Sequence, residues 1–92
     1  METGNKVEII YCRKCNWLMR SSWLAQEILS AFDEELSEVS LIPGSGGIFE
    51  IKVNDELLWS LKSEARFPDI KELKKLLRDK IAPEKSLGHT DK

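Results

Sequence analysis

Along residues 6–11, side chains alternate, with Val7, Ile9 and Tyr11 on one side and Lys6, Glu8 and Ile10 on the other. A period of two marks a strand with one buried face. The period then changes. Beyond Cys15, the residues Leu18, Ser22, Ala25, Leu29 and Phe32 recur at helical spacing, and Trp17, Leu24, Ile28 and Ala31 form a second stripe beside them. That pattern predicts a helix opening at Cys15, with an apolar face wide enough to cover a sheet. Asp33, Glu34 and Glu35 follow directly. Anions are unfavourable at a helix C-terminus, so the helix should stop near Phe32. Leu36–Ile42 reads as a second strand with Val39 and Leu41 pointing one way, and the run Pro43-Gly44-Ser45-Gly46-Gly47 breaks it. Ile48–Val53 reads as a third strand with Phe49, Ile51 and Val53 inward. Asn54-Asp55 tolerates positive φ and predicts a hairpin into a fourth strand, Glu56–Lys62, with Leu57, Trp59 and Leu61 on one face. Ser63–Pro68 reads as a loop. A second helix starts at Asp69, with Glu72 three residues on and Pro68 blocking backward extension. Ile70, Leu73, Leu77 and Ile81 form its buried stripe, Lys71, Lys74, Lys75 and Arg78 face water, and Pro83 ends it.

The element order is therefore β-α-β-β-β-α, and each strand has one wet face, which places both helices on the other. A helical crossover makes strands one and two parallel and right-handed in connection. Strands three and four form a hairpin, with three beside one. The expectation is an α/β two-layer sandwich on a four-stranded mixed sheet of order 2-1-3-4, the arrangement of a minimal thioredoxin-like fold. Residues 1–92 form a single domain with an ordered core of about 6–83. The polar tail EKSLGHTDK is expected to be mobile unless Leu87 docks.

Composition narrows the function. Ninety-two residues, 41% hydrophobic and 33% charged, suit one small core. A net charge of −2 argues against generic nucleic-acid binding. No apolar run approaches the roughly 20 residues of a membrane span, and the start METGNKVEII lacks the features of a signal peptide. A reducing cytoplasm is the expected compartment. There, two cysteines point to catalysis or metal binding rather than to a structural bridge.

Those two are Cys12 and Cys15, a C-x-x-C pair between a strand and a helix. The spacing lets two sulfurs meet across one turn. A helix N-terminus and the neighbouring Arg13 and Lys14, with Lys6 and Arg20 nearby in sequence, favour thiolate over thiol, and only the thiolate attacks a disulfide. At least one thiol is expected to titrate below about 8.5. A structural zinc usually needs four N or S ligands. The only histidine, His89, sits in the tail, so redox chemistry is the preferred reading and a small metal-binding protein the outside one. Arg13, Lys14, Trp17, Gly46 and Gly47 are the candidate substrate-binding residues. Trp23 divides between docking a partner and packing on the helix. The glycine turn lacks the G-K-[ST] continuation of a phosphate cradle. Its backbone is expected beside the thiols, shaping a peptide or glutathione groove.

The runs YCRKCNWLMRSSWLAQEILSAF, PGSGGIFEI and FPDIKELKKLLRDKI, with a Trp-bearing strand between the last two, resemble the selenoprotein W group. More narrowly, they resemble the bacterial all-cysteine members of the SelT/SelW/SelH (Rdx) redox family, over roughly residues 6–89. The resemblance implies a thioredoxin-like fold and a thiol–disulfide or glutathione-linked role in cell redox homeostasis. The selenium-containing members carry selenocysteine where this chain has Cys15. A thiol attacks and leaves more slowly than a selenol, so the resemblance does not by itself imply peroxide-directed chemistry. The analogies conflict over roles. Thioredoxin would make Cys12, the first and more exposed thiol, the attacker and Cys15 the resolver, whereas the selenium members put the more reactive atom at position 15. Helix geometry favours neither; the reading inclines to Cys12. Thioredoxins also carry a cis-proline opposite the motif, for which Pro43 is the nearby candidate. The leading function is a thiol–disulfide oxidoreductase acting on protein disulfides or using glutathione as co-substrate, with no other cofactor, metal, nucleic acid or membrane. The alternative is a redox-sensitive protein-binding module without turnover. Monomer and homodimer both stay open.

Overall fold

In the computed structural model, which describes residues 4–88, β1 (Asn5–Cys12) is an inner strand on which the sheet is laid. β2 (Leu36–Gly44) pairs with it in parallel and β3 (Phe49–Val53) pairs antiparallel on its other side. β4 (Glu56–Ser60) completes the order β2-β1-β3-β4. The expected mixed sheet is there. α1 (Leu18–Ala31) supplies the crossover, and α3 (Ile70–Ile81) follows β4 after a one-turn helix, α2 (Leu61–Glu64). Leu24 and Ile28 of α1 and Leu73 and Leu77 of α3 join Val7, Ile9, Phe49 and Ile51 in one buried cluster, so both long helices cover the same sheet face. Burying such side chains contributes about 1.5–3 kcal/mol each. None of the helices among the described residues is long and apolar enough to cross a membrane.

Several local expectations need correction. α1 starts at Leu18, not Cys15, because Asn16 adopts a left-handed backbone (φ 62°) that no helix can include. Its buried stripe runs through Ser21, Leu24, Ala25 and Ile28, leaving Leu18 and Leu29 outside. Two adjacent stripes cover more of a helix than one flat sheet can bury. β2 runs through Pro43 to Gly44, where a turn was expected. It is an edge strand, and there a proline costs no ladder hydrogen bond on its free side. The Ile42–Pro43 bond is trans, as are all peptide bonds among the described residues. Between β3 and β4, Ile51 opposes Trp59 but Lys52 opposes Leu57, so the register shifts by one. The shift turns Leu57, expected inward, to the outside, where it is 52% exposed, and Leu58 packs against the core instead. Leu61 leaves the strand to open α2, where Ser60 Oγ caps by accepting from the Ser63 N–H at 3.4 Å.

Other signals read directly. Asn54 and Asp55 both have positive φ, and Asn54 Oδ1 accepts from Lys6 N–H at 2.9 Å. α1 ends as expected, with Phe32 N–H donating to Ile28 O at 2.9 Å. At the start of α3, Glu72 accepts from the Asp69 N–H at 3.3 Å, the capping-box contact. After α3 the chain doubles back. Leu87 packs against the core and Lys85 Nζ reaches Glu35 Oε2 at 3.2 Å, so the tail docks at least to there. His89 lies outside the described residues.

Candidate functional site

Cys12 is the last residue of β1, opposite Gly44 of β2 in the parallel register. A tight turn, Arg13–Asn16, follows it, closed by Asn16 N–H donating to Arg13 O at 3.4 Å. Arg13 N–H donates to Gly44 O at 3.1 Å, which pins the turn to the end of β2. A side chain at Gly44 would force its neighbours to shift. A Cβ at that position would stand 2.7 Å from Ile48 Cγ2 and 3.3 Å from Ile10 Cγ2. The backbone beside the motif is therefore that of Gly44, not of the two glycines beyond it.

The turn brings Cys12 and Cys15 together as a disulfide, with Cα atoms 5.3 Å apart. The exposures of the two sulfur-bearing residues reverse the expectation: Cys12 is 2% exposed, whereas Cys15 is only half-buried. Cys12 ends an inner strand; Cys15 rides on a turn outside the sheet. Cys15 also precedes α1 by three residues instead of opening it. The helix dipole falls off within its first turn, so it acts on the thiols less directly than a helix opening at Cys15 would.

Arg13 and Lys14 stand exposed on the turn between the sulfurs. Trp17 occupies the N-cap position of α1 and packs edge-on against Phe67, at 4.9 Å and 88° between rings. Phe67 in turn meets Phe49 at 4.9 Å, and the Arg20 guanidinium lies 4.3 Å over its ring. This aromatic stack braces the end of α1 next to the motif against β3. Arg20 is legible in the sequence only as a positive charge near the motif, and Phe67 is not legible as a site residue. Phe67 sits in a stretch that reads as loop, and its only signal was an isolated aromatic ahead of a helix cap. Gly46 and Gly47, with φ of 72° and 76°, form the turn after β2. They line a cavity of about 490 Å³ with Phe49, Glu50, Ser60 and Lys62, in which neither cysteine takes part. The structure thus groups Arg13 and Lys14 with the thiols and sets Gly46 and Gly47 apart. Trp23 is half exposed on α1. Among the described residues, no group of three or more His, Cys, Asp or Glu is placed to hold a metal ion.

What these parts define is an α/β domain with a dithiol–disulfide pair at the end of an inner strand. Residues 6–79 match the Rdx family, and the chain belongs to that family. Among solved structures, the chain is similar to a selenoprotein W-related protein from Vibrio cholerae. The two are 49% identical over 82% of this chain and 94% of that one, with a TM-score of 0.80. It is also similar to a protein from Bordetella parapertussis, with 44% identity over 84% of this chain and 98% of that one and a TM-score of 0.82. No curated protein matches. Family membership and the paired sulfurs together indicate a redox function.

Proposed function

We propose that the protein is a thiol–disulfide oxidoreductase of selenoprotein W-like type, on a thioredoxin-like fold, that keeps protein thiols or glutathione in redox balance in the cytoplasm. The observation that carries the reading is the Cys12–Cys15 pair itself, one sulfur withdrawn into the end of β1 and the other half-exposed on a turn. That asymmetry suits a two-step exchange. The Cys15 thiolate attacks one sulfur of a partner disulfide, a mixed disulfide forms, and the partner's other sulfur leaves as thiolate. The Cys12 thiolate then attacks Cys15 Sγ, re-forming the Cys12–Cys15 bond and releasing the second partner thiolate. Each partner thiolate takes a proton, so two electrons and two protons pass to the partner. Glutathione or a protein dithiol restores the pair by the reverse sequence. Exposure argues for Cys15 as the attacker, the same position that carries selenium in the members this chain resembles. Arg13 and Lys14 add positive charge where the attacking anion forms.

The test is turnover of a small disulfide by the protein in the presence of reduced glutathione, with mixed-disulfide trapping in single variants. Cys12→Ser should accumulate a stable mixed disulfide through Cys15, and Cys15→Ser should accumulate far less. Equilibration with glutathione and no turnover would leave a redox-sensitive binding module as the better account.

A further inference from the structure

α1 begins beside the disulfide with an outer face that is apolar where a solvent face should be polar. Met19 is 83% exposed and Leu18 and Trp23 are each 49% exposed. Met19 and Trp23 lie four residues apart and so share one side of the helix. Leu18 and Met19 line a groove of about 390 Å³ whose other walls are Tyr11, Arg13 and Asn16. The groove thus runs up to the turn that carries Cys15. Single exposed apolar residues are ordinary; this group is continuous with the redox turn.

The stretch of chain that builds it is one-sided in charge. From residue 9 to residue 26 the chain holds Arg13, Lys14 and Arg20 and no acidic residue, in a protein whose net charge is −2. Arg13 and Lys14 are exposed and make no ion pair among the described residues. Arg20 stacks on Phe67, which holds its charge near the same end of α1. A second copy of this chain is a poor occupant. A two-fold interface through this face would bring the same positive patch together from both copies. A lipid surface would suit the mixture of Trp, Met and cations, but it offers no disulfide to the sulfur at the centre.

We propose that this face docks a protein segment in which acidic residues and a large apolar side chain flank the disulfide to be exchanged. The apolar side chain would lie in the groove between Arg13 and Met19, extending toward Trp23, and the carboxylates would pair with Arg13 and Lys14. This inference rests on the oxidoreductase reading and names its substrate class: folded or unfolded proteins with acidic, apolar surroundings at the cysteine, ahead of small neutral disulfides.

The test separates docking from chemistry by using peptides in which serine replaces the cysteine. The oxidised protein is titrated with an acidic–apolar peptide, a lysine-for-glutamate version and a version with glutamine in place of the apolar residues, followed by NMR shifts of the Trp23 indole and the Met19 methyl. The acidic–apolar peptide should bind about tenfold more tightly than either control, and Met19→Ser or Arg13→Ser should each weaken it about fivefold. Leu57→Ser, an equally solvent-facing change on β4, should not alter it. Equal affinity for all three peptides would overturn the proposal. So would equal weakening by Leu57→Ser, or saturable binding to anionic phospholipid vesicles with none to the peptides. Peptide discrimination without turnover of either a small disulfide or a disulfide-bonded form of the acidic–apolar peptide would leave the docking face standing and remove the oxidoreductase reading. Turnover without discrimination would do the reverse.

Discussion

Cys12 and Cys15 differ by three positions and by the solvent each meets, and the second difference decides their reactivity. In the reduced protein, iodoacetamide should modify Cys15 first, and Cys12 only slowly, since an anion on a residue only 2% exposed carries a desolvation cost. Peptide mapping after a short alkylation pulse would show this; equal labelling, or Cys12 ahead, would contradict the assigned order of attack. A second prediction concerns Gly44. Its backbone lies beside the motif turn, and a methyl there would press on the stiff branch of Ile48 at 2.7 Å. Gly44→Ala should therefore cost about 1–3 kcal/mol, as overpacking does. Chemical denaturation would report it; an unchanged midpoint would show that β2 and the Ile48 turn can shift apart freely.

α3 is the element whose stability answers to pH. Arg66 holds Glu72 with both guanidinium nitrogens, at 2.9 and 2.8 Å, while Glu72 also caps the helix. The hydrogen bonds from Arg66 hold the Glu72 carboxyl below its ordinary 4.5, with desolvation opposing. Glu56 is lowered in the same direction by its hydrogen bond from Lys80. A carboxyl whose folded pKa is depressed stabilises the fold above its unfolded pKa, and that contribution is lost as pH falls through the folded value. Glu72→Gln keeps a cap acceptor but loses the charge. It should be slightly less stable than the parent at pH 7, by the small margin that a solvent-screened pair supplies. The gap should close as pH falls below the ordinary carboxyl value of 4.5 and Glu72 takes up its proton. A gap independent of pH would mean that the loss is one of packing. This cap was legible because Pro68, Asp69 and Glu72 are local signals. The features not legible in the sequence are those fixed by contacts remote in it. The bulge that turns Leu57 outward answers to β3, and the proline in β2 is tolerated because nothing pairs on its far side. The late start of α1 was half legible, since Asn is one of the few residue types that enters the left-handed region readily. The C-x-x-C pair was legible outright, being two adjacent signals on one turn. Phe67, which braces the site from the segment between α2 and α3, was not.

At the scale of the whole molecule, the disulfide and the core are nearly independent sources of stability. The core cluster joins β1, β3, α1 and α3 through side chains such as Ile9, Ile51, Ile28 and Leu73, none of which depends on the sulfurs being joined. The bond between Cys12 and Cys15 closes a loop with a sequence separation of only 3. Loop-closure entropy for so short a ring supplies only about 2 kcal/mol. A protein of this size loses about 4–8 °C in Tm per kcal/mol, so reduction should lower Tm by roughly 10–15 °C and leave a single cooperative transition. Calorimetry with and without a phosphine reductant would measure the shift, and circular dichroism at 25 °C should be unchanged. Both redox states must fold for the pair to cycle between them. If reduction instead abolished the transition, the bond would be a structural staple, and exchange with a partner would unfold the protein at every turn.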